Sequence, residues 1–296
     1  MIMAIQNLAI SGKNRAFCLS VLFCFSFITF SAIAEQIEVT LPDRIVARAN
    51  FHSGLAARPA VLILHGFLQT HHSPPMSSLA SNLSSRGYTV LNPTMSLNTN
   101  LRSQSMSCEA IHTHTMEGEV AEVGFWVNWL NNKGFKNIVI IGFSSTGNLA
   151  ALLYTTQPKI TAVKQLILIS LNPLASPPDF TQATKTKSSK TSKGLKKYSL
   201  GYCKNNFTAT EHSFQSYAGY NSNAVLRLLR ENTVPNNIIL GSADTILSAD
   251  WAARINSLNK QIQVNIITNA NHFFDDTYEF DLAEAVEKTL KNITKQ

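Results

Sequence analysis

The stretch that decides the fold is residues 138–154, IVIIGFSSTGNLAALLY. Its first four residues are apolar and β-branched, which is typical of a short strand buried on both faces. A turn rich in glycine and serine follows, from Gly142 to Gly147, and the apolar residues after it favour a helix. A buried strand that passes through a tight turn into a helix is the repeating unit of parallel α/β sheets.

The chain on both sides of this stretch alternates between strand and helix patterns. We expect an antiparallel hairpin over residues 36–51, followed by buried strands at 59–64, 88–91, 137–141, 165–170, 237–240 and 262–268. Helices are expected at 75–86, 117–131, 149–154, 249–258 and 280–290. Such helices supply the crossovers that parallel strands need. The sequence therefore predicts an α/β fold with a mainly parallel, doubly wound sheet.

This alternation is interrupted between residues 172 and 234. The interruption contains three prolines, one expected helix at 224–230 and a Ser/Thr-rich segment. We interpret residues 173–233 as a cap inserted into a core formed by residues 35–172 and 234–296. Six lysines are expected to lie on a solvated, mobile part of this cap, namely Lys185, Lys187, Lys190, Lys193, Lys196 and Lys197.

The N-terminus has the pattern of a secretory signal peptide. Lys13 and Arg15 precede an apolar run over residues 16–30, and the small-residue pattern Ala32-Ile33-Ala34 follows. We predict that residues 1–34 are a signal peptide cleaved before Glu35. The alternative is an uncleaved anchor, but the run is shorter than the roughly 20 residues that a spanning helix needs. The mature protein is thus expected to be exported, periplasmic or secreted, without stable membrane insertion.

Two cysteines, Cys108 and Cys203, remain in the expected mature chain. An even number of cysteines in an oxidising compartment favours a disulfide. We expect this pair to be bonded and to connect the cap with the irregular stretch over residues 94–115.

Three separated segments carry residues suited to nucleophilic catalysis. A serine hydroxyl becomes a good nucleophile when it is exposed and hydrogen-bonded to a base. Ser144 lies in the turn after one predicted strand, and Asp244 comes directly after a later one. His272 follows the last predicted strand. The carboxyl ends of parallel strands meet at one edge of a sheet, so these side chains are candidates for a single site.

On these residues the chain resembles the α/β-hydrolase family, over about residues 37–290 apart from the cap. Gly142 and Ser144 match the first two fixed positions of the family's Gly-x-Ser-x-Gly motif, and the order serine, acid, histidine is that of the family. Thr146 stands where the motif has its second glycine, and Gly147 follows it. This departure puts the geometry of the turn in question.

The resemblance implies a role for each residue of the constellation. Ser144 would be the nucleophile, His272 the general base and Asp244 the acid that orients the histidine. Two alternatives stay open: Ser145 as the nucleophile, and Asp179 as the acid. We favour Ser144, because Phe143 would otherwise occupy a position where the motif needs glycine.

A further segment, His65-Gly66-Phe67, follows the first buried strand and resembles the family's oxyanion loop. The resemblance implies that the backbone N–H groups of Phe67 and Ser145 bind the oxyanion of the tetrahedral intermediate. We expect His65 to hold this loop rather than to take part in the chemistry.

The pair His112 and His114, with Glu117 and Cys108 nearby, has spacing that would suit a metal ion. We favour a different interpretation, in which this segment is a polar loop at the mouth of the pocket. No metal and no other cofactor is therefore expected.

These observations predict a serine hydrolase that acts on a small-molecule ester, or on another acyl compound, through an acyl-enzyme. One alternative is a peptidase or amidase of the same fold, because acyl chemistry is shared and the cap selects the substrate. A second is a non-catalytic binding protein that keeps the fold, and the departure at Thr146 is what supports it. The formal net charge of +7 lies mainly in the lysine-rich segment, which has few interleaved aromatics, so no nucleic-acid partner is expected. The sequence predicts no oligomeric state.

Overall fold

The computed structural model describes residues 34–157, 161–174, 194–258 and 262–293. The predicted signal peptide up to residue 33, the alternative acid Asp179 and four of the lysines, Lys185, Lys187, Lys190 and Lys193, lie outside the described residues. Within the described ranges, no helix is both long and apolar enough to cross a bilayer.

In the part of the chain that the structure describes there are ten strands, and eight of them build one sheet. They are β1 Glu35–Thr40, β2 Val46–His52, β3 Ala60–Leu64, β4 Thr89–Thr94, β5 Ile138–Phe143, β6 Val163–Ile169, β7 Leu195–Leu200, β8 Cys203–Thr210, β9 Asn236–Gly241 and β10 Ile262–Ile267. The order across the large sheet is β1-β2-β4-β3-β5-β6-β9-β10. β2 pairs antiparallel with both β1 and β4, and the remaining neighbours are parallel. The predicted α/β fold with a mainly parallel sheet is confirmed.

Seven helices lie within the described residues: α1 Met76–Ser85, α2 Met116–Asn132, α3 Ser144–Thr155, α4 Glu211–Ala218, α5 Ser222–Glu231, α6 Trp251–Asn256 and α7 Tyr278–Ile293. Local chemistry sets several of their ends. The side chain of Thr115 accepts a hydrogen bond from the Gly118 N–H at the start of α2. Gly87 and Gly134, which follow α1 and α2, have positive φ angles of 82° and 98°, as expected for glycines that end a helix.

The central strands are buried on both faces, so successive residues point into two different cores. In β3, Leu62 and Leu64 belong to the core that contains residues of α2, α3 and α6. Val61 and Ile63 belong to the other core, with residues of α1 and α7. The sheet is thus covered on both sides, which explains the continuous apolar runs of these strands.

The described part of the predicted cap contains more regular structure than the sequence indicates. β7 and β8 form an antiparallel hairpin, followed by α4 and α5, and only α5 was anticipated. Lys196 and Lys197 lie within β7, not in an irregular segment, because Leu195, Tyr198 and Leu200 on the same strand are buried. The structure thus places these two lysines on a regular strand, which the sequence pattern did not indicate.

A disulfide joins Cys108 and Cys203, as the sequence analysis expected, with an S–S distance of 2.01 Å. Close by, the His112 N–H donates to the Thr208 carbonyl, and the Thr208 N–H donates to the Cys108 carbonyl. The irregular stretch after β4 is therefore fastened to β8 by a covalent bond and by backbone hydrogen bonds.

Candidate active site

The three residues expected to form one site meet at the carboxyl edge of the sheet. Ser144 directly follows β5, Asp244 lies three residues after β9, and His272 lies five residues after β10. β5, β6, β9 and β10 are consecutive, parallel strands, so their carboxyl ends lie side by side. This arrangement brings together side chains that are 128 and 28 residues apart in sequence.

The side chains of these three residues form a continuous hydrogen-bonded chain. Ser144 Oγ lies 2.9 Å from His272 Nε2, and His272 Nδ1 lies 2.7 Å from Asp244 Oδ2. Asp244 Oδ1 accepts from the Ile246 N–H at 2.8 Å. The side chain of Asp244 is 1% exposed and that of His272 is 5% exposed. A carboxylate can only accept, so His272 carries its proton on Nδ1 and leaves Nε2 free to accept from Ser144.

Ser144 has a φ angle of 56°, in the left-handed region that residues with a Cβ rarely adopt. Such a conformation holds the side chain out of a sharp strand-to-helix turn. A Cβ on Gly142 would lie 2.8 Å from the backbone of Asn148. The first glycine of the motif is therefore needed for the turn to close.

The structure also accounts for Thr146, the departure from the expected motif. A Cβ on Gly147 would lie 2.6 Å from the His65 carbonyl oxygen and 2.7 Å from that of Leu64. The close approach between α3 and the end of β3 thus falls on Gly147. Thr146 is buried, at 2% exposure, within the first turn of α3. A β-branched residue is accommodated there because the glycine needed for this approach comes one residue later.

Two polar residues that the sequence analysis did not identify hold the turn and the histidine. Asn148 is fully buried, and its Nδ2 donates to the carbonyls of Ser144 and Ile169. Ser170 Oγ donates to the His272 carbonyl at 2.7 Å. Both connect the site to the end of β6, so the spacing between β5, β6 and β10 is fixed by hydrogen bonds as well as by packing.

Ser144 Oγ has a second neighbour, since the Oδ1 atom of Asn172 lies 3.2 Å away and accepts from it. A serine hydroxyl has one proton, so the bonds to Asn172 and to His272 are alternatives. The bond to His272 is the shorter of the two.

The loop after β3 lies against Ser144. A Cβ on Gly66 would be 3.2 Å from the Ser144 Cβ, which shows how closely the two segments approach. His65 Nε2 accepts from the Met95 N–H at 3.0 Å, so the proton of this ring is on Nδ1, which donates to the Gly66 carbonyl at 2.9 Å. Because a peptide group is planar and trans, fixing the Gly66 carbonyl also fixes the direction of the Phe67 N–H.

His65 is neutral, because burial, assisted by the charge of Arg102, lowers its pKa to about 3. The sequence analysis missed Arg102. This buried guanidinium donates to the carbonyls of Met95 at 2.7 Å, Gln69 at 2.7 Å and Gln104 at 3.0 Å, and it lies 3.1 Å from His65 Nε2. Arg102 therefore ties the loop after β3 to the stretch after β4. The sequence did offer one signal for this residue, because Arg102 is a single basic residue within a stretch that has neither helical nor strand periodicity.

A cavity of about 320 Å³ opens above Ser144. Its walls are mainly apolar or uncharged, and Tyr202, Ile246 and Phe273 on its lining are exposed large hydrophobic side chains. The lining residues are Phe67, Gln69, Ser144, Ser145, Asn172, Pro173, Leu174, Gly201, Tyr202, Ile246, His272 and Phe273. Among the described residues, therefore, no acid, lysine or arginine lines this cavity.

His112 and His114 are not at the mouth of this cavity, so that expectation was wrong. Both are buried, at 0% and 2% exposure, because the stretch that carries them passes beneath β8 and α4. Cys108, which could have been a further ligand of a metal ion beside these histidines, forms the disulfide with Cys203. In the part of the chain that the structure describes, no three histidine, cysteine or acidic side chains are grouped as a metal site would require.

Comparison with known structures agrees with this fold. The esterase Pf2001 of Pyrococcus furiosus is 18% identical, with a TM-score of 0.59, and the match covers 88% of this chain and 91% of that one. Est1E of Butyrivibrio proteoclasticus is 16% identical, with a TM-score of 0.64, covering 89% and 99%. A putative lipase of Acinetobacter baumannii is 18% identical, with a TM-score of 0.59, covering 89% and 93%. At these identities the likeness shows the fold alone.

No curated protein sequence matches significantly. A family model does: the model of the alpha/beta hydrolase fold matches residues 59–286, which is well over half of the chain. The match spans β3 through α7 and contains Ser144, Asp244 and His272. The chain therefore belongs to the alpha/beta hydrolase fold family.

Proposed function

We propose that this protein is an exported serine hydrolase that cleaves a carboxylic ester through an acyl-enzyme on Ser144. The observation that carries the proposal is the chain of hydrogen bonds from Ser144 Oγ to His272 Nε2 and from His272 Nδ1 to Asp244 Oδ2, on a serine with a φ angle of 56°. This chain has the order, direction and contact distances that nucleophile activation requires.

In the proposed reaction, Ser144 Oγ attacks the ester carbonyl while His272 Nε2 takes the hydroxyl proton. The imidazolium is stabilised by Asp244 and returns the proton to the leaving alcohol as the tetrahedral intermediate collapses to the acyl-enzyme. Water then attacks the acyl group with His272 again as the base, which releases the acid and restores the serine. No cofactor is needed in this sequence.

The developing oxyanion would be bound by the backbone N–H groups of Phe67 and Ser145. Ser145 lies in the first turn of α3, where N–H groups have no partner within the helix and the helix dipole favours negative charge. The peptide between Gly66 and Phe67 is held by His65, as described above. Donors fixed before the reaction are the ones that stabilise a transition state at no cost in reorganisation.

A cavity that is lined by apolar and polar side chains, with no acid, lysine or arginine among them, supports a neutral ester as the substrate. Several structurally similar proteins are named esterases or lipases, and one structure of Est1E contains ferulic acid. Export is supported by the predicted signal peptide and by the disulfide, since disulfides persist in oxidising compartments.

A fluorophosphonate probe tests the nucleophile. We expect the mature protein to be labelled at Ser144, as identified by peptide mass spectrometry, and labelling to be lost in Ser144→Ala. Ser85→Ala, at the exposed end of α1, is the matched control and should label like the wild type. Labelling that persists in Ser144→Ala, or that maps to Ser145, would overturn the assignment. A panel of matched esters and amides then separates ester hydrolysis from amidase or peptidase activity.

A further inference from the structure

A second chain of hydrogen-bonded side chains lies beneath the oxyanion loop, and the reaction does not use it. It consists of His112, His114, Tyr217 and Glu119, which come from the stretch after β4, from α4 and from α2. All four are buried, with exposures between 0% and 6%. The Tyr217 ring contacts the Phe67 ring edge to face, with centroids 6.4 Å apart. The chain therefore forms part of the floor on which Phe67 rests.

Three hydrogen bonds connect these groups in sequence, and a fourth joins His112 to the Ser107 carbonyl. His112 Nε2 lies 3.1 Å from the Ser107 carbonyl, and His112 Nδ1 lies 3.1 Å from His114 Nε2. His114 Nδ1 is 2.5 Å from Tyr217 Oη, which is in turn 2.6 Å from Glu119 Oε1. The carbonyl at one end can only accept, so His112 must donate from Nε2, and the direction of the first bond is fixed.

Each of these four bonds needs one proton between its two heavy atoms. Neutral His112, neutral His114 and Tyr217 bring one proton each, which makes three. With those three, His112 donates to Ser107, and two protons are left for the other three bonds. If Tyr217 donates to Glu119 and His114 donates to Tyr217, the two rings face each other with no proton between them; if Tyr217 donates to His114 and His114 donates to His112, the Tyr217 oxygen faces Glu119 with none, unless Glu119 supplies it.

The fourth proton must be on Glu119 or on one of the rings, and the surroundings favour Glu119. Burial, with His112 and Arg102 acting in the same direction, lowers the pKa of His114 to about 3, and burial lowers that of His112 as well. Burial is also the largest cause that raises the pKa of Glu119 to about 7, against the hydrogen bond from Tyr217. The neighbouring Glu122 raises it further, whereas Arg102 lowers it.

The groups around Glu119 explain why a second negative charge is disfavoured there. Burial also raises the pKa of Glu122, on the same helix, but its hydrogen bonds from the Ser96 N–H, the Ser96 hydroxyl and the Trp126 ring act against that rise, because these donors suit a carboxylate. Arg102 is the buried cation of this region, and Asp43 lines the same cavity of about 140 Å³ as Glu119 and Glu122. One arginine therefore faces two buried acids and a third at the edge of the cavity.

We propose that Glu119 is a positioning residue that holds a buried proton, and that this proton completes the hydrogen-bonded floor beneath Phe67. Loss of the proton leaves one hydrogen, that of the Tyr217 hydroxyl, for which two acceptors, His114 Nδ1 and the Glu119 carboxylate, compete. The floor is then weakened where it contacts the oxyanion loop. The part of this inference that concerns activity rests on the proposed function, whereas the part that concerns the proton does not.

The sign of the pH effect follows from linkage. An acid whose pKa is raised on folding adds stability that is complete below its unfolded pKa, near 4.5, and that is lost as the pH rises to its folded pKa of about 7. The buried neutral histidines act in the opposite direction over part of this range. The informative quantity is therefore the difference in Tm between a variant and the wild type.

Glu119→Gln isolates this proton, because the glutamine amide donates to Tyr217 at every pH. We expect the Tm of Glu119→Gln minus that of the wild type to rise by about 5 °C between pH 5 and pH 8. Glu117→Gln, two residues away and exposed, is the matched control, and its difference from the wild type should not change with pH. A flat difference for Glu119→Gln would overturn the proposal.

Infrared spectroscopy of the wild type needs no variant and covers the case in which Glu119→Gln fails to fold. We expect a C=O stretch of a buried carboxylic acid at pH 6 that is lost by pH 9, and its absence at pH 6 would overturn the proposal.

A labelling assay with fluorophosphonate tests whether this proton affects the reactivity of Ser144. The rate at pH 9 relative to pH 7 should be higher in Glu119→Gln than in the wild type, and equal ratios with a confirmed Tm difference would remove the link to activity only.

Discussion

Two hydrogen-bonded chains in this protein each connect histidine, hydroxyl and carboxyl groups, and they differ in how many protons they hold. The chain of Ser144, His272 and Asp244 has two hydrogen bonds. The serine hydroxyl and the neutral imidazole supply one proton to each bond, so Asp244 does not have to carry a proton. The chain of His112, His114, Tyr217 and Glu119 has four bonds, and its two rings and phenol supply three protons. The same side-chain types thus favour an ionised acid in one place and a protonated acid in the other.

The two chains also differ in what surrounds them. Ser144 opens to the cavity, where in the proposed reaction the leaving alcohol would receive a proton from His272 and water would supply the next one. The second chain packs against aromatic rings, with Phe207 stacked on His112 at 4.3 Å. None of its residues lines that cavity, although His114 and Glu119 line the smaller one of about 140 Å³. In the proposed reaction the proton of the first chain moves between Ser144 and His272. The proton proposed on Glu119 stays in place and holds the side chains of the second chain together. Variants in each chain should therefore affect different measurements.

The largest expected effect is that of Asp244→Asn on turnover. The asparagine amide can donate to His272 Nδ1, which puts the ring proton on Nε2, where it opposes the Ser144 hydroxyl. We expect kcat for an ester to fall about 10³- to 10⁴-fold with little change in Tm. Asp281→Asn, exposed in the first turn of α7, is the control. An Asp244→Asn enzyme within tenfold of the wild type would show that the first chain does not act as proposed.

Next is the removal of the disulfide, which tethers the cavity wall to the stretch that carries the second chain. Cys203 follows Tyr202, which lines the cavity, and Cys108 follows Ser107, whose carbonyl accepts a hydrogen bond from His112 of the second chain. The bond closes a loop with a sequence separation of 95 residues, for which chain entropy predicts about 4 to 5 kcal/mol. We expect Cys108→Ala with Cys203→Ala to lower the free energy of unfolding by that order, measured in urea. An unchanged midpoint would count against this tether.

His65→Phe should have a smaller effect, and on kcat rather than on KM. The phenyl ring keeps the volume but removes the bond that fixes the peptide between Gly66 and Phe67. Losing one oriented oxyanion donor typically costs about 10²- to 10³-fold in rate. His212→Phe, exposed on α4, is the matched control. A rise in KM without a fall in kcat would mean that this loop binds the substrate instead of the transition state.

Tyr217→Phe is expected to give the smallest effect, and mainly on stability. It removes the hydroxyl that bonds both His114 and Glu119, and each unsatisfied buried group costs about 1 to 3 kcal/mol. Tyr220→Phe, three residues later, provides the control. We expect a Tm several degrees lower with kcat within tenfold of the wild type at pH 6. A large loss of kcat without a change in Tm would mean that the second chain takes part in the reaction. The two chains would then not differ in function as proposed.

The first chain was predictable from the sequence because each of its residues lies within five residues of the carboxyl end of a strand of the large sheet. Parallel strands force such positions to one edge, so strand assignment, together with the resemblance to the family's motif and residue order, placed Ser144, Asp244 and His272 together. The second chain depends on a stretch without periodicity and on a hairpin and helix, β7 to α4, that the sequence pattern did not indicate. One signal was available: Glu119 and Glu122 fall on the same stripe of α2 as the buried Val123 and Trp126.

Thr146 shows the limit of motif matching. The motif predicts crowding two residues after the serine, whereas the close approach to β3 falls on Gly147. Only the register of α3 against the backbone of Leu64 and His65 determines which residue must lack a Cβ. Sequence alone does not contain that register, so the departure could be noticed but not judged.

The most direct test of the central claim is to detect the acyl-enzyme itself. The mature protein would be mixed with an activated p-nitrophenyl ester, quenched in acid during turnover, and examined by intact-mass and peptide mass spectrometry. The account predicts a mass increase of one acyl group, located on Ser144 and absent in Ser144→Ala. Ester turnover without any adduct, or an adduct on another residue that persists in Ser144→Ala, would contradict it.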